Sequence, residues 1–170
     1  GAESEIGAGS TFWIELPLFH GKLLTPATET VPKKNQHNSI QCTSPVTVLY
    51  IEDNPVNLLL MQKVLDGIEN ITLLTASEGL QGYELAVKHM PNLILLDLHL
   101  PDVPGNEILK KLRANTGTRQ IPVVVVSADA TSEQVEALKA AGAFSYLIKP
   151  YKISDLIKVI DAGISSNTSS

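Results

Sequence analysis

Val46-Thr47-Val48-Leu49-Tyr50-Ile51-Glu52-Asp53-Asn54-Pro55 is the stretch on which the fold of this chain turns. Its first six residues are β-branched, aliphatic or aromatic and predict a strand. Two adjacent carboxylates end that run. Asn54 then offers a helix cap, and Pro55 suits the first helical position because its missing N–H would have no partner there anyway. The order is strand, acidic pair, helix start. The strand is apolar throughout rather than alternating, as expected where helices cover both faces of a sheet.

The same unit recurs downstream. Apolar runs at 71–75, 93–96, 123–126 and 146–148 alternate with amphipathic stretches, so five βα units and a parallel sheet with right-handed crossovers are expected. Ser77 is expected to cap the second helix with Glu78 in its first turn. Thr131 and Gln134 spell a capping box for the fourth. Ile153, Leu156, Ile157, Ile160 and Ile164 recur at helical spacing and predict the buried face of the fifth. Gly142 and Gly163 suit helix stops. The domain is therefore expected to span residues 46–164, with 165–170 as a loose tail.

Upstream the texture differs. Phe12, Ile14 and Leu16 alternate with Trp13 and Glu15 at strand period. Gly7, Ala8, Gly9 and Ser10 read as turn material, so residues 2–6 are expected to pair back as a hairpin that Pro17 closes. A lone hairpin is marginal in water, so residues 1–19 read as the end of something larger. Residues 20–45, with Thr25, Pro26, Pro32, Lys33, Lys34, Asn35 and Gln36, have linker composition and no apolar period.

Composition narrows the function. Of the 170 residues 44% are hydrophobic and 18% charged, enough to bury a core. A net charge of −5 gives no electrostatic case for nucleic acid or an anionic membrane surface. Cys42 stands alone, which rules out an internal disulfide and favours a reducing compartment. No run approaches the roughly 20 apolar residues of a membrane helix. The first residues lack the order of a signal peptide. A cytoplasmic location is expected.

The chemistry follows from what ends each strand. Glu52 and Asp53 follow the first run, Asp97 the third, Ser127 the fourth and Lys149 the fifth. Open α/β sheets bind ligands beyond the carboxyl ends of their strands, so these residues are expected on one rim. Taken singly, each has a bland reading: Asp53 as a turn former, Lys149 as a solvated charge, Ser127 as a turn hydroxyl. Jointly they do not. Three converging carboxylates repel unless a cation intervenes, and oxygen ligands favour a hard one, Mg²⁺ first.

With those residues in place, residues 46–163 resemble the receiver domain of two-component response regulators. The likeness rests on Val48-Leu49-Tyr50-Ile51-Glu52-Asp53-Asn54, Leu95-Leu96-Asp97-Leu98-His99-Leu100-Pro101, Val125-Val126-Ser127-Ala128 and Tyr146-Leu147-Ile148-Lys149-Pro150. It implies a flavodoxin-like, doubly wound α/β fold with five parallel strands in the order 2-1-3-4-5 and helices on both faces. It further implies Asp97 as phosphoacceptor, with Mg²⁺ held by Asp53, Asp97 and the backbone carbonyl of His99, and by Glu52 mainly through water. Ser127 and Lys149 would contact the phosphoryl oxygens, Tyr146 would be the aromatic switch, and Lys149–Pro150 would be cis. The implied partners are a histidine kinase phosphodonor domain, a histidine phosphotransfer protein, or both. His99 and Asp129 occupy positions that tune phosphoryl lifetime in the family. The loop Pro101-Asp102-Val103-Pro104-Gly105 departs from the family pattern, which often has a methionine and a second aspartate before the glycine.

Residues 4–12, with Leu16-Pro17-Leu18, resemble the closing hairpin of a histidine-kinase ATP-binding domain. That hairpin, a linker and a receiver in this order imply the end of a hybrid histidine kinase; no membrane contact is expected of this stretch, which is compatible with an anchor elsewhere in the parent. The stretch carries no ATP-binding glycine boxes and no phosphodonor histidine motif; His20, His37 and His89 read as ordinary surface residues. The fragment is expected to catalyse its own phosphorylation and dephosphorylation only, and residues 1–19 are expected to promote self-association through an unpaired strand edge. Two rivals stand beside this reading. A Mg²⁺-dependent aspartyl-phosphate hydrolase would ordinarily need a second aspartate where His99 stands. A receiver-like module that works without phosphorylation would not need Glu52, Asp53, Asp97, Ser127 and Lys149 together.

Overall fold

Ala2–Glu5 (β1) and Gly9–Phe12 (β2) form an antiparallel pair in which Ala2 faces Phe12 and Glu5 faces Gly9. In the computed structural model residues 2–5, 9–12, 44–128 and 131–167 are described, and the chain divides into two units, 1–35 and 36–170. The division falls inside the expected linker. The pairing expected of residues 2–6 is present over 2–5. Gly9 and Ser10, expected in the turn, belong instead to the second strand, where Gly9 takes a φ of 100° that L side chains rarely adopt. Residues 13–43 and 129–130, among them Trp13, Ile14, Leu16, Cys42 and Asp129, lie outside the described residues.

In the second unit, strands Val46–Ile51 (β3), Ile71–Ala76 (β4), Leu93–Asp97 (β5), Val123–Ser127 (β6) and Ser145–Ile148 (β7) alternate with helices Pro55–Leu65 (α1), Gly79–His89 (α2), Gly105–Ala114 (α3), Ser132–Ala140 (α4) and Ile153–Asn167 (α5). All neighbouring strands are parallel, in the order β4-β3-β5-β6-β7. Numbered within this unit, that is the expected 2-1-3-4-5. Period-two alternation divides each strand between two cores. Val48, Tyr50, Leu93, Leu95, Val124 and Val126 pack with Met61 and Leu65 of α1 and Leu156 and Ile160 of α5. Leu49, Ile51, Ile94, Leu96, Val123 and Val125 pack with Ala86 of α2, Ile108, Leu109 and Leu112 of α3 and Leu138 of α4. No helix among the described residues is long and apolar enough to cross a membrane.

Helix starts and stops follow the sequence signals in part. Asn54 accepts the N–H of Val56 at 2.9 Å with Pro55 at the first helical position, and Thr131 and Gln134 form the capping box. Gly142 follows α4 at a φ of 96°. The second helix differs. Its cap position is Glu78, not Ser77, and neither side chain supplies the cap. Asp102, from the loop after β5, accepts Gly79 N at 2.7 Å and Leu80 N at 2.9 Å. The fifth helix also differs. Gly163 is not a stop but a close approach inside the helix, where a Cβ would lie 2.6 Å from a methyl carbon of Leu93. The helix continues to Asn167 and takes in part of the expected tail, with Ser166 Oγ donating to Gly163 O at 2.8 Å. Ile153 is exposed rather than on the buried face.

Candidate functional site

β3 lies between β4 and β5, so strand order reverses there and the crevice opens beyond the carboxyl ends of β3 and β5. Glu52 and Asp53 leave the end of β3, and Asp97 is the last residue of β5. Ser127 ends β6 opposite Ile148, and Lys149 N donates to Ser127 O at 2.8 Å, which brings Lys149 to the same level. The register thus puts the predicted residues on one rim.

Glu52 is 1%, Asp97 4% and Ser127 0% exposed, whereas Asp53 is open to solvent. One carboxylate oxygen from each of Glu52, Asp53 and Asp97 falls in a group spanning no more than 4.8 Å. Lys149 Nζ stands 2.6 Å from Asp97 Oδ2 and 2.6 Å from Glu52 Oε2. A single ammonium against three carboxylates leaves the site negative. Hard oxygen donors carrying excess charge, two of them buried, fit a divalent cation.

The ionised forms are held by their partners. Burial pushes the Glu52 carboxyl up, but hydrogen bonds from Lys149, Tyr50 and Asn57 outweigh it and leave it below the ordinary value. Burial pushes the Lys149 ammonium down, and its bonds to Asp97 and Glu52 more than restore it, so the net direction is up. Asp97 Oδ1 accepts the N–H of His99 at 2.9 Å, while the His99 imidazole is mostly exposed with Nδ1 3.8 Å from the same oxygen. Tyr146 of β7, opposite Val125 of β6, is partly buried against the core under α3 and α4. The Lys149–Pro150 bond is cis.

Gly105 makes the close approach of α3 to this rim feasible. Its N–H donates to Leu98 O at 2.9 Å, and a Cβ there would overlap the carbonyl oxygen of Asp97. A groove of about 690 Å³ borders the site at Asp53 and His99 and continues past Pro104, Lys110 and Leu138, leaving the exposed side of the acidic rim open to an incoming group.

Three contributors escaped the sequence reading. Tyr50 donates its hydroxyl to Glu52 Oε2 at 2.6 Å, and Asn57 Nδ2 donates to Oε1 at 2.9 Å. The signal for Tyr50 was its position two residues before Glu52, which shares a face with it in a strand. Asn57 follows the cap Asn54 by three residues, one helical turn. Asp102 had no local signal, since its partners are 22 and 23 residues away.

Comparison with known proteins agrees with this architecture. Residues 48–161 match the model of the response regulator receiver domain. The polar-differentiation response regulator DivK of Brucella anthropi is 34% identical over 116 residues, covering 68% of this chain and 94% of DivK. The receiver domain of sensor histidine kinase PA1611 from Pseudomonas aeruginosa, solved with magnesium in its active-site cleft, superposes with a TM-score of 0.65 at 27% identity, covering 72% of this chain and 99% of that one. The Mn²⁺-bound response regulator Rcp1 superposes at 0.59 with 30% identity, covering 69% and 91%. The chain belongs to the response regulator receiver domain family of two-component systems.

Proposed function

We propose that Asp97 accepts a phosphoryl group from a phosphohistidine, and that Glu52, Asp53 and Asp97, with the His99 carbonyl, hold the Mg²⁺ that this transfer requires. The observation that carries the reading is Asp97 itself. Its nearly buried carboxylate ends β5, grouped with the oxygens of Glu52 and Asp53 and 2.6 Å from Lys149 Nζ. Magnesium-bound PA1611 receiver supports the choice of metal.

An oxygen of Asp97 attacks phosphorus in line, the new O–P bond forms as the donor P–N bond breaks, and the departing imidazole takes a proton from solvent. Such a transfer asks for positioning and charge neutralisation rather than further covalent help. Bound Mg²⁺ supplies part of that neutralisation at the phosphoryl oxygens. Lys149 supplies the rest, turning from the Asp97 carboxylate to the transferred group, and the Ser127 hydroxyl donates to the new acceptor. Drawing the Ser127 loop inward frees space for Tyr146, which rearranges the surface around α4 and β7. That is a population shift driven by differential contacts.

The parent is read as a hybrid histidine kinase with this part of it in the cytoplasm. Residues 1–19 would be the end of its ATP-binding domain, 20–45 the linker and 46–164 the receiver. The likeness of residues 4–12 to a kinase hairpin and the place of the PA1611 receiver within a sensor histidine kinase support this. Incubation with a phosphorylated histidine phosphotransfer protein, followed by gel separation, tests the donor class. Phosphoryl transfer that requires Mg²⁺ and Asp97 is expected. Phosphate release with turnover from an added monoester would favour a hydrolase instead.

A further inference from the structure

Glu52 is held by four donors. Oε2 accepts Tyr50 OH at 2.6 Å and Lys149 Nζ at 2.6 Å, and Oε1 accepts Asn57 Nδ2 at 2.9 Å and Asn54 N at 3.3 Å. Three of these bonds are short and fix the orientation of the carboxylate, while the contact from Asn54 N is long. We infer that Tyr50 and Asn57 are positioning residues for the metal site, orienting the buried Glu52 carboxylate toward the ion it shares with Asp53 and Asp97.

The case for Tyr50 begins with its cost. It is fully buried in the middle of an otherwise aliphatic and threonine-bearing strand, where Phe or Leu would fill the core without a hydroxyl to satisfy. That hydroxyl is spent on Glu52. Tyr151, beyond the cis bond, packs against the core cluster that contains Tyr50. The case for Asn57 is its mounting. Asn54 and Pro55 fix the start of α1, and Asn57 sits one turn in with its amide returned to Oε1.

The division of labour matters because Lys149 serves two carboxylates. When its ammonium turns toward a transferred phosphoryl group, the bonds from Tyr50, Asn57 and Asn54 still hold Glu52. They keep its orientation independent of the phosphorylation state. Partners of this kind behind metal ligands commonly change affinity by 10–100-fold.

The inference rests on the metal reading, and one experiment separates their failures. Mg²⁺ is titrated calorimetrically into the full chain as wild type, Tyr50→Phe and Asn57→Ala, each also in a Glu52→Gln background. Each single variant is expected to weaken Mg²⁺ binding about tenfold and to add little once Glu52 is changed, because the effect passes through that carboxylate. At saturating Mg²⁺ the labelling rate is expected within about twofold of wild type, the signature of a binding rather than a chemical defect. Wild type that binds no Mg²⁺ overturns the metal reading and this inference with it. Wild type that binds, beside folded variants of unchanged affinity or with undiminished loss in the Glu52→Gln background, overturns the inference alone. Should Tyr50→Phe fail to fold, the partly exposed Asn57→Ala decides by the same criteria.

Discussion

Asp102 Oδ1 accepts the backbone N–H of Gly79 at 2.7 Å, although the two residues are 23 positions apart. With Leu80 N on the other oxygen, the carboxylate does for α2 what Ser77 was expected to do. It also ties the loop that follows Asp97 to the neighbouring helix, and a negative group at a helix N-terminus is favourable in its own right.

Asp102→Ala should therefore destabilise the domain by about 1 kcal/mol, the usual cost of losing a cap, while Ser77→Ala should cost only a few tenths. Urea denaturation of the two variants checks this. Equal losses would return the capping role to Ser77. Burial pushes the Asp102 carboxyl up, but the backbone donors Leu80, Gly79 and Val103 together outweigh it and hold the group below its ordinary value. A depressed carboxylate stabilises above its unfolded pKa and loses that contribution as pH falls through the folded one. The Asp102→Ala penalty should accordingly shrink in acid.

Gly105 yields a sharper contrast. A Cβ there would overlap backbone at Asp97 rather than a side chain able to swing away, whereas one at Gly67 would meet nothing within 4 Å. Gly105→Ala should cost about 1–3 kcal/mol through overpacking and weaken phosphoryl labelling, because α3 must retreat from the rim. Gly67→Ala should stay within about 0.5 kcal/mol of wild type. Similar melting shifts in both would mean that the approach of α3 is looser than described.

Lys149 between Glu52 and Asp97 sets a pH window for the metal-free protein. Glu52 is depressed, so its contribution is present above the ordinary 4.5 and lost as pH falls through its folded value. Lys149 is raised, so its contribution is complete below the ordinary 10.5 and lost as pH rises through its folded value. Lys149→Met leaves two buried carboxylates facing each other and should cost up to about 3 kcal/mol near neutral pH. The deficit should narrow in acid, as Glu52 protonates and its contribution to the wild type is lost. Denaturation in chelator across pH measures it; a deficit that widens in acid would contradict the bridge. Lys149→Ala should bind Mg²⁺ at least as tightly as wild type, since it removes a cation, and should be labelled far more slowly.

Much of this molecule was legible because its signals are local. Continuous apolar strands, the Asn54–Pro55 helix start and the Thr131–Gln134 box depend on neighbours within a few residues, and a parallel α/β order then sends strand ends to one rim. What escaped depends on residues distant in sequence. Asp102 reaches back 23 residues to Gly79. Gly163 reads as a helix stop until Leu93, 70 residues earlier, is seen to need its missing Cβ. Ile153 keeps helical spacing with Leu156 and Ile160 but lies on the first turn, beyond the edge of the core. Tyr50 looked like one more core side chain, its place two residues before Glu52 being the one local hint of where its hydroxyl points.

The most direct measurement is intact mass after incubation with acetyl phosphate and Mg²⁺. Wild type should gain a single phosphoryl adduct that is stable in acid and labile in base, and Asp97→Asn should gain none. Chelation of Mg²⁺ should abolish the adduct, since the three carboxylates then face the incoming anion with only Lys149 to offset them. Equal labelling of Asp97→Asn would place the acceptor elsewhere and contradict the account.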